Sequence, residues 1–234
     1  VDFTQSVFWA DAWVDTNCSI NNCAISKETE KAFWRSGTQT TGANQPVYIS
    51  TGMNFNPTIK FAGTPTAAGN ASFDYINYGK QSLNITNKMS IFVVQNLSVV
   101  WEHYSIWLQQ SGATQRSYSN VKFNSNKWAN TTTTGPAASS YISTLSIDDT
   151  ISTHHINGSR INNNTITAGN ILSGNNLWVW GTTNTGTFST SGDIAEIIVY
   201  NKILTWVLRN QIESYLWLKY GIILNQSLDG DGDT

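Results

Sequence analysis

One helical pattern, at the end of a chain otherwise made of short strand-like runs, restricts the fold most. Ile194 to Tyr200 (Ile-Ala-Glu-Ile-Ile-Val-Tyr) is apolar and rich in β-branched residues, the pattern of a mostly buried strand. Just beyond it, Thr205 is placed to cap a helix on which Leu208, Ile212, Tyr215, Leu216 and Lys219 fall at helical spacing. Gly221 supplies the stop. The residue three past the cap is Leu208 rather than Glu, so the capping box is incomplete. A strand followed by one covering helix fits the end of a β-sandwich. It fits an alternating α/β enzyme poorly.

Upstream, Pro46–Ser50, Thr58–Phe61, Met89–Gln95, Ser105–Gln109, Tyr141–Ile147, Ile151–Ile156 and Asn176–Trp180 read as strands with polar, turn-rich connections. Asn157-Gly158, between Ile156 and Arg160-Ile161, is a hairpin turn signal. The tract Thr131–Pro136 reads as an exposed loop, and no internal repeat is evident. Short strands at this spacing point to a sandwich or barrel, and 234 residues suffice for one such domain. Ten Trp and 40% hydrophobic residues supply core material. No apolar run approaches the roughly 18 residues of a membrane span. With 12% charged residues and a net charge of -2, the chain lacks the basic patch that nucleic acid or an anionic membrane would require. No leader peptide is evident, and Val1 is read as following a cleaved one or beginning an excised domain.

Cys18 and Cys23 lie close together in a polar loop, Asn17-Cys-Ser-Ile-Asn-Asn-Cys-Ala24. A disulfide closing this loop, and with it an oxidising compartment, is the preferred reading; two free thiols are the alternative. A zinc site would need more ligands than His103, His154 and His155 supply.

Three segments carry a family resemblance. Gly192-Asp-Ile-Ala-Glu-Ile-Ile-Val-Tyr200, with the helix ending Glu213-Ser-Tyr-Leu-Trp-Leu-Lys-Tyr-Gly-Ile222, resembles the C-terminal end of concanavalin A-like (LamG-like) jelly-roll domains of large surface proteins of Bacteroidetes-type bacteria. Ser6-Val-Phe-Trp-Ala-Asp-Ala12 resembles their opening strand, and Asn44–Tyr48 with Asn56–Gly63 resembles an early strand pair. The likeness runs from about residue 6 to residue 225 and departs at Ala62, Trp206 and Trp217. It implies an all-β sandwich with one C-terminal helix packed against it over residues 1–225, leaving 226–234 as an acidic Gly/Asp linker.

The same sandwich hosts laminarinase-type glycoside hydrolases, which need two carboxylates about 5 Å apart for retention and farther for inversion. Asp193 and Glu196 are three apart on a strand, so period-two alternation sets them on opposite faces. Glu28 and Glu30 would share a face, but Lys27-Glu-Thr-Glu-Lys31 reads as a solvated turn. No nucleophile elbow or phosphate-cradling loop is present. His154 and His155, adjacent on a strand, are read as pointing to opposite faces, one exposed and one half-buried.

Binding residues are sought among the aromatics. Trp101, His103, Tyr104 and Trp107 form one cluster, and Trp178 and Trp180 share one face of a strand. Stacking on sugar rings is the functional reading, and membership of the sandwich core the alternative. Asp229, Asp231 and Asp233 look like the start of a calcium loop, though the closing Glu is not in the sequence; a flexible acidic linker is the other reading. Asp11 and Asp193 match family positions and could equally cap turns. Asp149-Thr150-Ile151 resembles the O-glycosylation acceptor of exported Bacteroidetes proteins, with Thr150 as its site. Sequons at Asn70, Asn84, Asn130 and Asn157 are expected by chance in an Asn- and Thr-rich chain.

The expectation is a non-catalytic module of a secreted or cell-surface adhesin, with carbohydrate or another surface ligand as partner. The resemblance adds export by the type IX route and a role in attachment or gliding, with calcium as a possible ligand. A spacer or assembly subunit making protein–protein contacts is the alternative, and a hydrolase the third.

Overall fold

The computed structural model describes residues 3–12, 16–62, 74–80, 83–85, 87–98, 106–110, 115–118, 136, 139–165, 175–179 and 191–224. In chain order the strands are β1 (Phe8–Asp11), β2 (Cys23–Ala24), β3 (Lys27–Thr29), β4 (Ser36–Thr38), β5 (Val47–Met53), β6 (Asn56–Phe61), β7 (Ile76–Lys80) and β8 (Lys88–Leu97). They continue as β9 (Ile106–Gln110), β10 (Gln115–Tyr118), β11 (Tyr141–Asp148), β12 (Ile151–Ile156), β13 (Ser159–Thr165), β14 (Asn175–Val179) and β15 (Gly192–Tyr200), then helix α1 (Trp206–Tyr220). A nine-stranded sheet runs β13-β12-β11-β8-β15-β6-β5-β2, with β1 also paired to β15. A six-stranded sheet runs β10-β9-β14-β7-β4-β3. The two antiparallel sheets form the sandwich expected from the sequence.

The nine-stranded sheet buries both of its faces. Ile91 and Val93 of β8, Leu145 and Ile147 of β11, and Ile197 and Val199 of β15 meet Ile76 and Tyr78 of the smaller sheet in the inter-sheet core. The intervening Phe92, Val94, Ile142, Ile198 and Tyr200 pack with Ile212, Leu216 and Tyr220 of α1. This double burial is why β8 and β15 read as continuous apolar runs rather than as alternation. Helix α1 begins and ends where its caps predict. Thr205 Oγ1 accepts the Leu208 N–H at 3.3 Å, and Gly221, at φ 65, donates its N–H to Trp217 O. Among the described residues no helix is long and apolar enough to cross a membrane.

Two turns show where local rules were readable and where they were not. Asn157 and Gly158 sit at φ 51 and 82, the left-handed pair that a tight hairpin needs. Asn54 and Phe55 do the same at φ 44 and 62 between β5 and β6, although Phe gives no turn signal. Cys18 and Cys23 are disulfide-bonded, with Cα atoms 5.8 Å apart, which removes the free-thiol alternative.

Three readings are corrected. Lys27–Lys31 is not a solvated turn: Lys27–Thr29 is the edge strand β3, and Glu28 and Glu30 are both 0% exposed. His154 and His155 do point to opposite faces, yet both are buried, because each face of the nine-stranded sheet is covered. Asp193 and Glu196 share a face, since a bulge between Ile194 and Glu196 pairs them with Asn96 and Val94, two apart on β8. The proposed boundary at residue 225 and the acidic stretch 226–234 lie outside the described residues.

Candidate functional site

The residues that carry the family resemblance converge beneath α1. Lys219 Nζ donates to Asp11 Oδ2 at 2.7 Å and to Glu196 Oε2 at 2.8 Å. Trp9 Nε1 reaches Glu196 Oε1 at 2.7 Å and Tyr220 OH reaches Oε2 at 2.8 Å, while Lys31 Nζ meets Asp11 at 2.8 Å. Burial pushes both carboxyls up; for Asp11 the Lys219 and Lys31 ammoniums outweigh it and hold it below the usual range. Glu196 stays raised, by burial and by Asp11, against the opposing pull of Lys219. Lys219 is raised in turn, because Glu196 and Asp11 outweigh its own burial. This knot pins β1 and α1 to β15. Glu196 is buried and accepts from Trp9, Lys219 and Tyr220.

A second buried set lies along β11, β12 and α1. Ser143 Oγ and His154 Nε2 are 2.7 Å apart, Arg209 Nη1 donates to His155 Nε2 at 2.8 Å, and Thr144 Oγ1 donates to Glu213 at 2.7 Å. Burial lowers His154 to about 4. Burial, with the Arg209 charge second, lowers His155 to about 3. Both are neutral at pH 7. At the sandwich end, Asp74 accepts the Ala62 N–H at 2.7 Å, latching one sheet to the other, and burial raises it to about 6.

The loop joining β3 to β4 is built differently. Its hub is the Glu30 carboxylate, which accepts the N–H groups of Ala32 at 2.7 Å, Phe33 at 3.0 Å, Arg35 at 3.4 Å and Trp9 at 3.3 Å. Arg35 Nε adds a charged bond at 2.7 Å, and its Nη2 bonds Val7 O. Around this hub the loop turns two large aromatics outward: Phe33 is 61% exposed and Trp34 70%. Trp34 sits at φ 58, a left-handed conformation that a bulky residue rarely adopts. The Arg35 guanidinium lies 5.0 Å from the Phe33 ring centroid and braces it.

The loop is anchored to β1 and the residue before it, through Trp9 and Val7, and runs on into β4 of the six-stranded sheet. Ile76 and Tyr78 of β7 point into the core, so the half-exposed Asn77 belongs to the opposite face. Register carries that row across the sheet: Lys27, Thr38, Asn77, Trp178, Trp107 and Ser117 are successive partners. Thr29 and Ser36 lie two residues along, with their hydroxyls 3.1 Å apart. The described side chains here are hydroxyls and an amide, with Lys27 at the edge strand.

Of the sequence-derived candidates, Trp107 and Trp178 are brought directly opposite each other on β9 and β14. Trp101, His103, Tyr104, Trp180, Asp229, Asp231 and Asp233 lie outside the described residues. Thr150 is exposed in the turn between β11 and β12, after Asp149 at φ 53. No group of three or more His, Cys, Asp or Glu placed to share a metal occurs among the described residues. Sequence reasoning missed Phe33 and Trp34, because the charged run Lys27–Lys31 just before them was read as a polar turn. Two adjacent aromatics inside so polar a stretch were the available signal.

No family model and no curated protein matches the chain. Among solved structures it is similar to domain 4 of AbnA, an extracellular GH43 arabinanase from Geobacillus stearothermophilus, in complex with arabinotriose. That match has TM-score 0.55 and 15% identity, covering 72% of this chain and 80% of that one. The binding domain of Paraclostridial Mosquitocidal Protein 1 matches with TM-score 0.53 and 11% identity, over 84% and 51% of the two chains. A mutant Trypanosoma rangeli sialidase displaying trans-sialidase activity matches with TM-score 0.50 and 12% identity, over 94% of this chain and 34% of that one. The chain thus spans about a third of the sialidase and about half of the mosquitocidal binding-domain chain. At these identities the likeness establishes the fold, a β-sandwich of two antiparallel sheets.

Proposed function

We propose that this chain is a non-catalytic β-sandwich module that recognises neutral carbohydrate. The observation that carries the reading is the outer face of the six-stranded sheet, where Thr29, Ser36, Thr38 and Asn77 share a surface with the register positions of Trp107 and Trp178. Hydroxyl and amide groups, with aromatic residues at the neighbouring register positions, match a ligand that offers hydroxyls on its edge and C–H bonds on its face. The arabinotriose complex of a domain with this fold supports the same reading. Catalysis is disfavoured because Asp11 and Glu196 are tied to Lys219, and Glu30 to its own loop. The Cys18–Cys23 disulfide favours an oxidising, extracellular setting, as a module of a larger surface adhesin would have. A screen of the protein against immobilised neutral oligosaccharides tests the reading: saturable binding supports it, and no binding at 1 mM ligand overturns it.

A second reading rests on α1. Trp206, Val207, Trp217 and Leu218 are 38%, 56%, 40% and 69% exposed, an apolar content suited to contact with another protein module. Light scattering separates the two: a mass above the monomer that Leu218→Glu abolishes supports assembly.

A further inference from the structure

We infer that the β3–β4 loop is a pre-organised sugar-stacking site, with Phe33 and Trp34 as its platform. The inference rests on the carbohydrate reading and deepens it, since neither residue belongs to the sheet-face row. Three observations combine. Phe33 and Trp34 are large, adjacent and mostly exposed, where burial in the core is the rule for such residues. Their backbone is held by a wholly buried carboxylate that accepts four N–H groups, so the platform is rigid before any ligand arrives. Rigid aromatic anchors give contact area at low entropic cost. Finally, Trp34 is kept at φ 58, and a strained residue persists only when its surroundings over-determine it.

The chemistry around the loop selects the ligand. Both cations of the loop are occupied, Lys31 by Asp11 and Arg35 by Glu30, so the Phe33 and Trp34 platform is itself uncharged, while the exposed Lys27 lies on β3 opposite Thr38. Trp34 is followed within four residues by the exposed Ser36 and Thr38, so uncharged hydroxyls adjoin the loop in sequence. A neutral saccharide fits this combination of an apolar platform and neighbouring uncharged donors.

The test is affinity gel electrophoresis of the whole chain in arabinan, xylan, laminarin and mannan, with Phe33→Ala, Trp34→Ala and Trp34→Gly beside the wild type. Trp217→Ala, an exposed aromatic of α1, is the control. The expected result is retardation of wild type and control by at least one polysaccharide, with affinity reduced at least tenfold in all three loop variants. The melting temperature should stay at or above wild type for Trp34→Gly, which relieves φ 58, and close to it for Phe33→Ala and Trp34→Ala, whose side chains are mostly solvent-exposed. If wild type binds and the loop variants bind equally well, this site is wrong while carbohydrate recognition stands. If no polysaccharide retards wild type, the carbohydrate reading falls and takes this site with it. Binding to phosphatidylcholine vesicles that Trp34→Ala abolishes would make the loop a membrane-inserting tip and overturn the inference.

Discussion

Trp34 and Lys219 mark two opposite uses of unfavourable groups. A left-handed non-Gly residue costs about 1–3 kcal/mol, and the Glu30 hub offsets that cost at Trp34. Trp34→Gly removes the strain but adds unfolded-state entropy, so urea denaturation should show stability unchanged or up to about 1 kcal/mol higher. Lys219 instead neutralises two carboxylates, Glu196 at 0% and Asp11 at 3% exposure. Lys219→Met leaves both without their shared cation and is expected to cost about 3–5 kcal/mol by the same measurement. Asp11 was visible as a match to a family position and Glu196 as a carboxylate on a strand. That they meet on one lysine was not, because the three residues lie on three elements and only the fold brings them together.

At the scale of elements, what was legible followed local rules. Helix α1 was readable because its cap, spacing and stop are encoded within one short segment, and those terms are testable one by one. Thr205→Ala should cost about 1 kcal/mol. Gly221→Ala should cost about 1–2 kcal/mol, since φ 65 disfavours a side chain and a Cβ there would meet Asn54 Cγ at 3.0 Å. Thermal unfolding of both variants checks the pair. Strand β3 was misread for the converse reason. Its glutamates look solvated until the sandwich places Glu28 against the Tyr78 hydroxyl and Glu30 inside its loop. The bulge in β15 was equally invisible, because nothing in Ile194-Ala-Glu196 marks an extra residue, and it inverted the predicted faces of Asp193 and Glu196.

For the whole molecule, the buried titratable groups set a pH profile. His154 and His155 are lowered from 6.5 to about 4 and about 3, so their neutral forms stabilise the fold fully above pH 6.5. That contribution is lost as pH falls below 6.5, with a limiting slope of about 1.4 kcal/mol per pH unit for each histidine. Asp74 acts oppositely: raised from 3.8 to about 6, its contribution is full below 3.8 and lost as pH rises through about 6. Asp193, Glu196 and Glu213 are raised by burial as well and act in the same direction as Asp74, so the histidine contribution is read by difference. Between pH 6.5 and 4 the urea midpoint of a His154→Gln, His155→Gln double variant should fall less, or rise more, than that of wild type. Asp74→Asn should match or exceed wild type at pH 8. Outer-face chemistry and the aromatic loop bear on function, and there the central claim is recognition of neutral sugar. The most direct test is equilibrium binding of the intact chain to arrayed neutral and acidic oligosaccharides at pH 7.5. The account predicts saturable binding to neutral structures that 0.5 M NaCl leaves intact. Binding confined to acidic glycans and abolished by salt, or no binding at all, would contradict it.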